Sequence, residues 1–244
     1  MQTILFVPTS SGIGLTSACL GFIRALDYVG LKAGFLKPFS QNSAEGSVES
    51  EDSSSVLAKH AFGLNPPMSI TRSRLERVIG DGQLEDLMEM VVAKHQSLSE
   101  HYDVIVCEGL VADSESSYAE LVNLAIANAL DAKVILVSSG DLAHPDSLVD
   151  KLDLFARDFG GMANERTLGT ILMRVKNLND SYATNPVAPG KARVQLDDAQ
   201  LQAFKQQSPD FDSDHFRLIG VVPFSNTLSV PRTWDVAQEL DAKW

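Results

Sequence analysis

Six short apolar runs recur along the chain: Ile4–Val7, Ala33–Leu36, Val104–Cys107, Val134–Val137, Leu168–Met173 and Leu218–Val222. Each is bounded by Gly, Pro, Ser or Asp, and each is continuous rather than alternating. Strands of that kind are covered on both faces, as in a parallel sheet. Helical patterns lie between them. Leu84, Leu87, Met88 and Val91 fall at i, i+3, i+4 and i+7 and share one stripe. Pro145 stands where a first helical turn would begin, ahead of Leu148, Leu152 and Phe155. A further helix is predicted from about Thr16 to Val29. Strands alternating with helices imply right-handed crossovers. The expected fold is therefore α/β and doubly wound: a mainly parallel sheet of about six strands with helices on both faces.

Two stretches break this rhythm. Residues 40–55 are polar, Ser-rich and acidic, and predict a mobile loop after the second strand. Residues 176–195 carry two prolines and few large apolar groups, and predict a surface insertion. The strand pattern resumes after each, so residues 1–244 are expected to form a single domain.

Composition narrows the partners. The formal net charge is −12 over 244 residues. So acidic a surface repels phosphodiesters and anionic lipids, which argues against nucleic-acid and membrane partners. The two cysteines, Cys19 and Cys107, lie in apolar stretches, support no disulfide framework and suit a reducing compartment. The N-terminal apolar run stops at Pro8, too short for a signal peptide. No apolar run approaches the roughly 20 residues of a membrane helix. A soluble, cytoplasmic protein is the expectation.

The first strand runs into Pro8-Thr9-Ser10-Ser11-Gly12-Ile13-Gly14-Leu15-Thr16-Ser17 and then a helix. A glycine-containing turn at a helix start aims backbone N–H groups at one point, which favours an anion. Against the pattern G-x-x-x-x-G-K-[ST], the first Gly is missing, Gly14 fits, Leu15 replaces the Lys and Thr16 fits. An anion loop built on Ser11, Gly12, Gly14, Thr16 and Ser17 competes on equal terms with a plain Ser/Gly turn. Lys37 and Glu108 shift that balance, because they close the second and third strands at the edge where α/β sheets hold ligands. Their alternative is to pair with each other. Asp52, one of several acids in the polar loop, reads first as a solvated charge.

Other chemistry finds little support. The five histidines show no H-x-x-x-H or H-E-x-x-H spacing and no C-x-x-C occurs, so a transition-metal site is not indicated. No G-x-S-x-G follows a strand. Gly12-x-Gly14 lacks the third glycine of a dinucleotide fingerprint, and a lysine closes the second strand where an acid is required. Cys107 reads as a core residue, since the neighbouring Glu108 disfavours a thiolate. His144, before Pro145, reads as a loop histidine near the same sheet edge.

Several ordered segments resemble dethiobiotin synthetase and its relatives. They are Val7-Pro8-Thr9, Gly14-Leu15-Thr16-Ser17, Leu20-Gly21-Phe22-Ile23-Arg24-Ala25, Phe35-Leu36-Lys37-Pro38, Val106-Cys107-Glu108-Gly109-Leu110, Phe159-Gly160-Gly161 and Gly220-Val221-Val222-Pro223-Phe224. The match is closer to the N-terminal domain of the long-form phosphate acetyltransferases, in which Leu15 is typical where dethiobiotin synthetase has Lys. The resemblance runs along essentially the whole chain and implies a P-loop NTPase-like fold.

By this resemblance, Mg²⁺ would be held at Thr16, Asp52 and Glu108, and Lys37 would assist the reacting groups. Met173, beside Arg174, takes the place of the Asn that reads adenine. The implied cofactor set is Mg²⁺ with a small anion or a nucleotide, and the phosphate lysine and base reader are lost. In the family the full enzyme interconverts acetyl-CoA and phosphate with acetyl phosphate and CoA, in a C-terminal domain expected to lie outside these 244 residues. The resemblance implies a regulatory and assembly domain with no catalytic residue of its own, working in a homo-oligomer and responding to a small anionic metabolite. The alternatives are an ATP-dependent ligase like dethiobiotin synthetase and a ParA/MinD-like NTPase switch.

Overall fold

In a computed structural model, the structure describes residues 1–41, 48–112, 118–140, 145–175, 202, 204, 206, 211 and 215–224. The predicted insertion at 176–195, His144 and residues 42–47 of the polar stretch lie outside the described residues.

Each apolar run seeds a strand: β1 (Gln2–Pro8), β2 (Ala33–Leu36), β5 (Val104–Glu108), β6 (Lys133–Ser139), β7 (Thr167–Val175) and β8 (Arg217–Pro223). They form one sheet in the order β2-β5-β1-β6-β7-β8, and every neighbouring pair is parallel. Parallel neighbours need crossovers, which the helices supply. The helices are α1 (Leu15–Tyr28), α2 (Ser53–Phe62), α3 (Arg72–Gly80), α4 (Leu84–Ser99), α5 (Ala119–Ala129) and α6 (Pro145–Ala156). The predicted starts at Leu84 and Pro145 coincide with those of α4 and α6.

The period of two along each central strand divides the core in two. Leu5, Val7, Ile105, Cys107, Leu136 and Leu172 face the layer that contains α3, α4, α5 and α6. Ile4, Phe6, Val106, Ile135 and Ile171 face the layer that contains α1 and α2. Helices thus cover both faces, as the continuous apolar runs require, and the fold is doubly wound and P-loop NTPase-like.

The prediction of a mobile loop over residues 40–55 is corrected in its second half. Glu49–Ser50 forms a short strand, β3, antiparallel to β4 (Ser69–Ile70), and α2 begins at Ser53. β4 also stitches down the chain leaving β2. Ile70 N donates to Pro38 O at 2.8 Å, Ser40 N donates to Ile70 O at 2.9 Å, and Ser69 Oγ donates to Lys37 O at 2.7 Å. Asp52 accepts from the backbone N–H groups of Ser54 and Gln41, and Ser54 Oγ donates to Glu108, so these polar groups serve hydrogen bonds rather than solvation.

Candidate anion site at the carboxyl edge of the sheet

The loop after β1 and the start of α1 wall one side of a cavity of about 470 Å³. Residues 10–17 line it, joined by Gln41, Glu108 and Val111 from the ends of β2 and β5. Gly14 is the residue before α1, has φ of +87°, and provides no side-chain cap. That left-handed conformation favours glycine. The orphan N–H groups of the first helical turn therefore depend on water or a ligand. Ser11, Gly12, Gly14, Thr16 and Ser17 all line this cavity.

The loop is held from behind by the end of β7. A Cβ added at Gly14 would lie 3.3 Å from Met173 Cε, and Met173 is itself buried. Arg174, in the left-handed region at φ +55°, donates from Nη1 to Gly12 O at 2.8 Å. Its guanidinium lies 5.7 Å from the centroid of the Phe224 ring, where the cation meets the aromatic face. Sequence reasoning missed this clamp. Its one signal was a charged residue directly after an apolar run, and nothing local tells that such a residue reaches back to a loop 162 positions earlier.

Below the cavity lies an ion pair removed from water. Lys37 is 1% exposed and Glu108 2%. Lys37 Nζ donates to Glu108 Oε1 at 2.9 Å and to Gly109 O at 2.9 Å. The same Oε1 accepts from Ser54 Oγ at 3.0 Å and from Thr16 Oγ1 at 3.2 Å. Lys37 therefore lies behind Glu108 rather than on the cavity wall, and its charge is paired with the Glu108 carboxylate. The pairing held open by the sequence is the arrangement found. Gly109 makes the tight fit possible: a Cβ there would come within 2.7 Å of Phe6 O and 2.8 Å of Asn123 Oδ1. Asn123 then clamps the next residue, accepting from Leu110 N at 2.8 Å and donating to Leu110 O at 2.9 Å.

Asp52 is 2% exposed, which corrects its reading as a solvated charge. It is the N-cap of α2, accepting from Ser54 N at 2.9 Å on Oδ1. Its Oδ2 accepts from Ser40 Oγ at 3.0 Å and Gln41 N at 3.2 Å. A buried carboxylate is tolerated because neutral donors surround it. As a set for Mg²⁺, Thr16 and Glu108 fit, with Glu108 Oε2 unpartnered among the described residues. Asp52 stands one step back, joined to Glu108 only through Ser54, and does not line the cavity. Among the described residues no group of three or more His, Cys, Asp or Glu side chains is placed to hold a metal.

Leu15 occupies the position of the phosphate lysine, and its side chain is 5% exposed, packed with Ile13, Ala18 and Cys19 in the core beneath α1. Burial pushes the Cys107 thiol well above its ordinary value, with Lys37 pulling against that shift, so this cysteine is a core group. Among the described residues, no helix is long and apolar enough to cross a membrane.

A parallel, doubly wound sheet with a strand–loop–helix unit at its carboxyl edge defines a P-loop NTPase-like domain. The family described as an AAA domain matches residues 2–232, and the chain belongs to it. Two relatives named phosphate acetyltransferase align with all of this chain. That of Acinetobacter baylyi is 39% identical, with 34% of its own length covered. That of Nitrosomonas europaea is 37% identical, with 32% covered. The chain thus spans about a third of the length of these relatives. Among solved structures, the MinD cell division protein of Aquifex aeolicus aligns over 100% of this chain and 98% of its own, at 14% identity and a TM-score of 0.49.

Proposed function

We propose that this chain is a non-catalytic regulatory and assembly unit of a phosphate acetyltransferase, and that its loop cavity binds a small anion without hydrolysing nucleotide. The observation that carries this reading is the burial of Leu15 in the core under α1. Phosphoryl transfer relies on positioned positive charge at the terminal phosphates, and at this position the chain offers a hydrocarbon packed into the core beneath α1. Lys37 spends its hydrogen bonds on Glu108 and Gly109, and Arg174 donates to Gly12 O. Met173, at the place of the base reader, packs against Gly14 instead of offering a hydrogen-bonding edge. What remains is a helix start without a cap, facing a cavity. A ligand held there affects a larger assembly only by binding one of its states better than another.

The test is a coupled assay of the purified chain for acetyl phosphate or acetyl-CoA formation, run beside light scattering across a concentration series. The expected result is no turnover above the buffer blank, together with self-association. Phosphate-dependent turnover would overturn the non-catalytic reading, and a monomer throughout the series would overturn the assembly role.

A further inference from the structure

The helix layer on the sheet face opposite α1 carries a second cavity, of about 720 Å³, which shares no lining residue with the loop cavity. α4 buries one stripe in the core through Leu87, Val91 and Leu98. A neighbouring stripe, Leu84, Met88 and Val92 at i, i+4 and i+8, forms the cavity floor together with Ala125 of α5. Leu84, Val92 and Ala125 are only half-buried, and Leu121, one turn before Ala125 on α5, is 55% exposed. Single exposed apolar residues are ordinary, but an apolar trough between two helices marks a place for a partner. The small side chains of Ala93 on α4 and Ala125 on α5 leave it open. Its rim carries one sign of charge. Glu85 and Glu89 are exposed and line it, and no cationic side chain does so among the described residues. The basic groups of α4 are engaged elsewhere, Lys94 with Glu49 of β3 and His95 with Thr3 of β1.

We infer that this trough docks an amphipathic helix of a partner protein, with Lys or Arg flanking the apolar face of that helix. The floor from Leu84 to Val92 spans about 12 Å at about 1.5 Å per residue, close to the span of a guest helix's anchors at i, i+4 and i+7. Those apolar anchors enter between α4 and α5, and the flanking cations reach Glu85 and Glu89. Charge selects the occupant. A second copy pairing through the same face would set Glu85 and Glu89 against their own counterparts, and like charges across an interface oppose binding. A basic helix meets both the floor and the rim. The inference is independent of the loop after β1 and of what that loop holds.

Fluorescence anisotropy with the whole chain tests this, using a labelled peptide of about 14 residues with Leu at i, i+3, i+4 and i+7 and Lys elsewhere. Two comparison peptides keep its length: one scrambles the Leu stripe, and one replaces every Lys by Glu. At about 0.15 M salt the striped basic peptide is expected to bind at least about tenfold more tightly than either. Ala93→Trp fills the trough from an exposed position and should weaken binding about tenfold. Glu85→Gln with Glu89→Gln should weaken it about three- to tenfold, whereas Asp150→Asn with Asp158→Asn, exposed acids outside the trough, should change it less than about twofold. Equal losses from the two acid pairs, or equal binding of the striped and scrambled peptides, would reduce the effect to general charge and overturn the inference. Binding untouched by Ala93→Trp would place the peptide elsewhere, with the same consequence. Self-association that Ala93→Trp abolishes in light scattering would assign the trough to a second copy and reject the basic helix.

Discussion

Lys37 and Glu108 show how two residues can be legible in sequence while their relationship is not. Each ends a strand at the ligand edge, and that placement follows from the apolar runs before them. Whether they face a ligand or each other depends on β2 and β5 being neighbours, in a register that pairs Leu36 with Cys107. Pairing of strands so far apart in the chain is a property of the sheet, not of local pattern. Asp52 is the sharper case. Its burial rests on Ser40 and Gln41, twelve and eleven positions away, and on β4 holding that segment in place. The buried pair also makes a direct prediction. Lys37→Met leaves the Glu108 carboxylate uncompensated, and chemical denaturation should show a loss of about 3–5 kcal/mol. Lys37→Met combined with Glu108→Leu should recover a large part of it, because the charge and its unmet solvation leave together. A single variant as stable as the wild type would mean that the pair is solvated rather than buried.

The elements divide by how they are stabilised. β1, β2, β5, β6 and β7 were readable because burial on both faces forces continuous apolar runs. β8 carries such a run although its residues are part-exposed, and α4 was readable because its stripe repeats at helical spacing. β3 and β4 have two residues each, too short for any period. α2 opens on Ser53-Ser54-Ser55 and resembles a loop in composition, since its first turn is fixed by the Asp52 cap and by Ser54 bonding to Glu108. α4 carries a titratable group into the core. His95 is 8% exposed and its Nε2 lies 2.7 Å from Thr3 Oγ1 on β1. Burial lowers its pKa from the ordinary 6.5. The unfolded chain therefore takes up a proton more readily than the folded one. The stabilisation from this group is complete above pH 6.5 and is lost as pH falls toward the folded value. Thermal melts of the wild type and His95→Gln should diverge in pH dependence across that window, with the variant flatter. Identical slopes would show that His95 does not titrate with folding.

At the scale of the molecule, the site and the surface pull in opposite directions. A chain of net charge −12 repels anions at long range, so the proposed anion capture would rest on short-range groups: the backbone N–H donors of the clamped loop. The clamp from Met173 and Arg174 ties the loop to β7, close to the start of the stretch outside the described residues. This is the part of the site least visible in sequence, since it joins residues 162 positions apart. On the proposed reading, the loop keeps its hold on an anion and has lost its power over nucleotides. Phosphate release from ATP and Mg²⁺ by the purified chain tests it most directly. Release at the level of the buffer blank is the predicted result. Steady turnover at rates typical of enzymes, about 1 s⁻¹ or faster, would contradict the account.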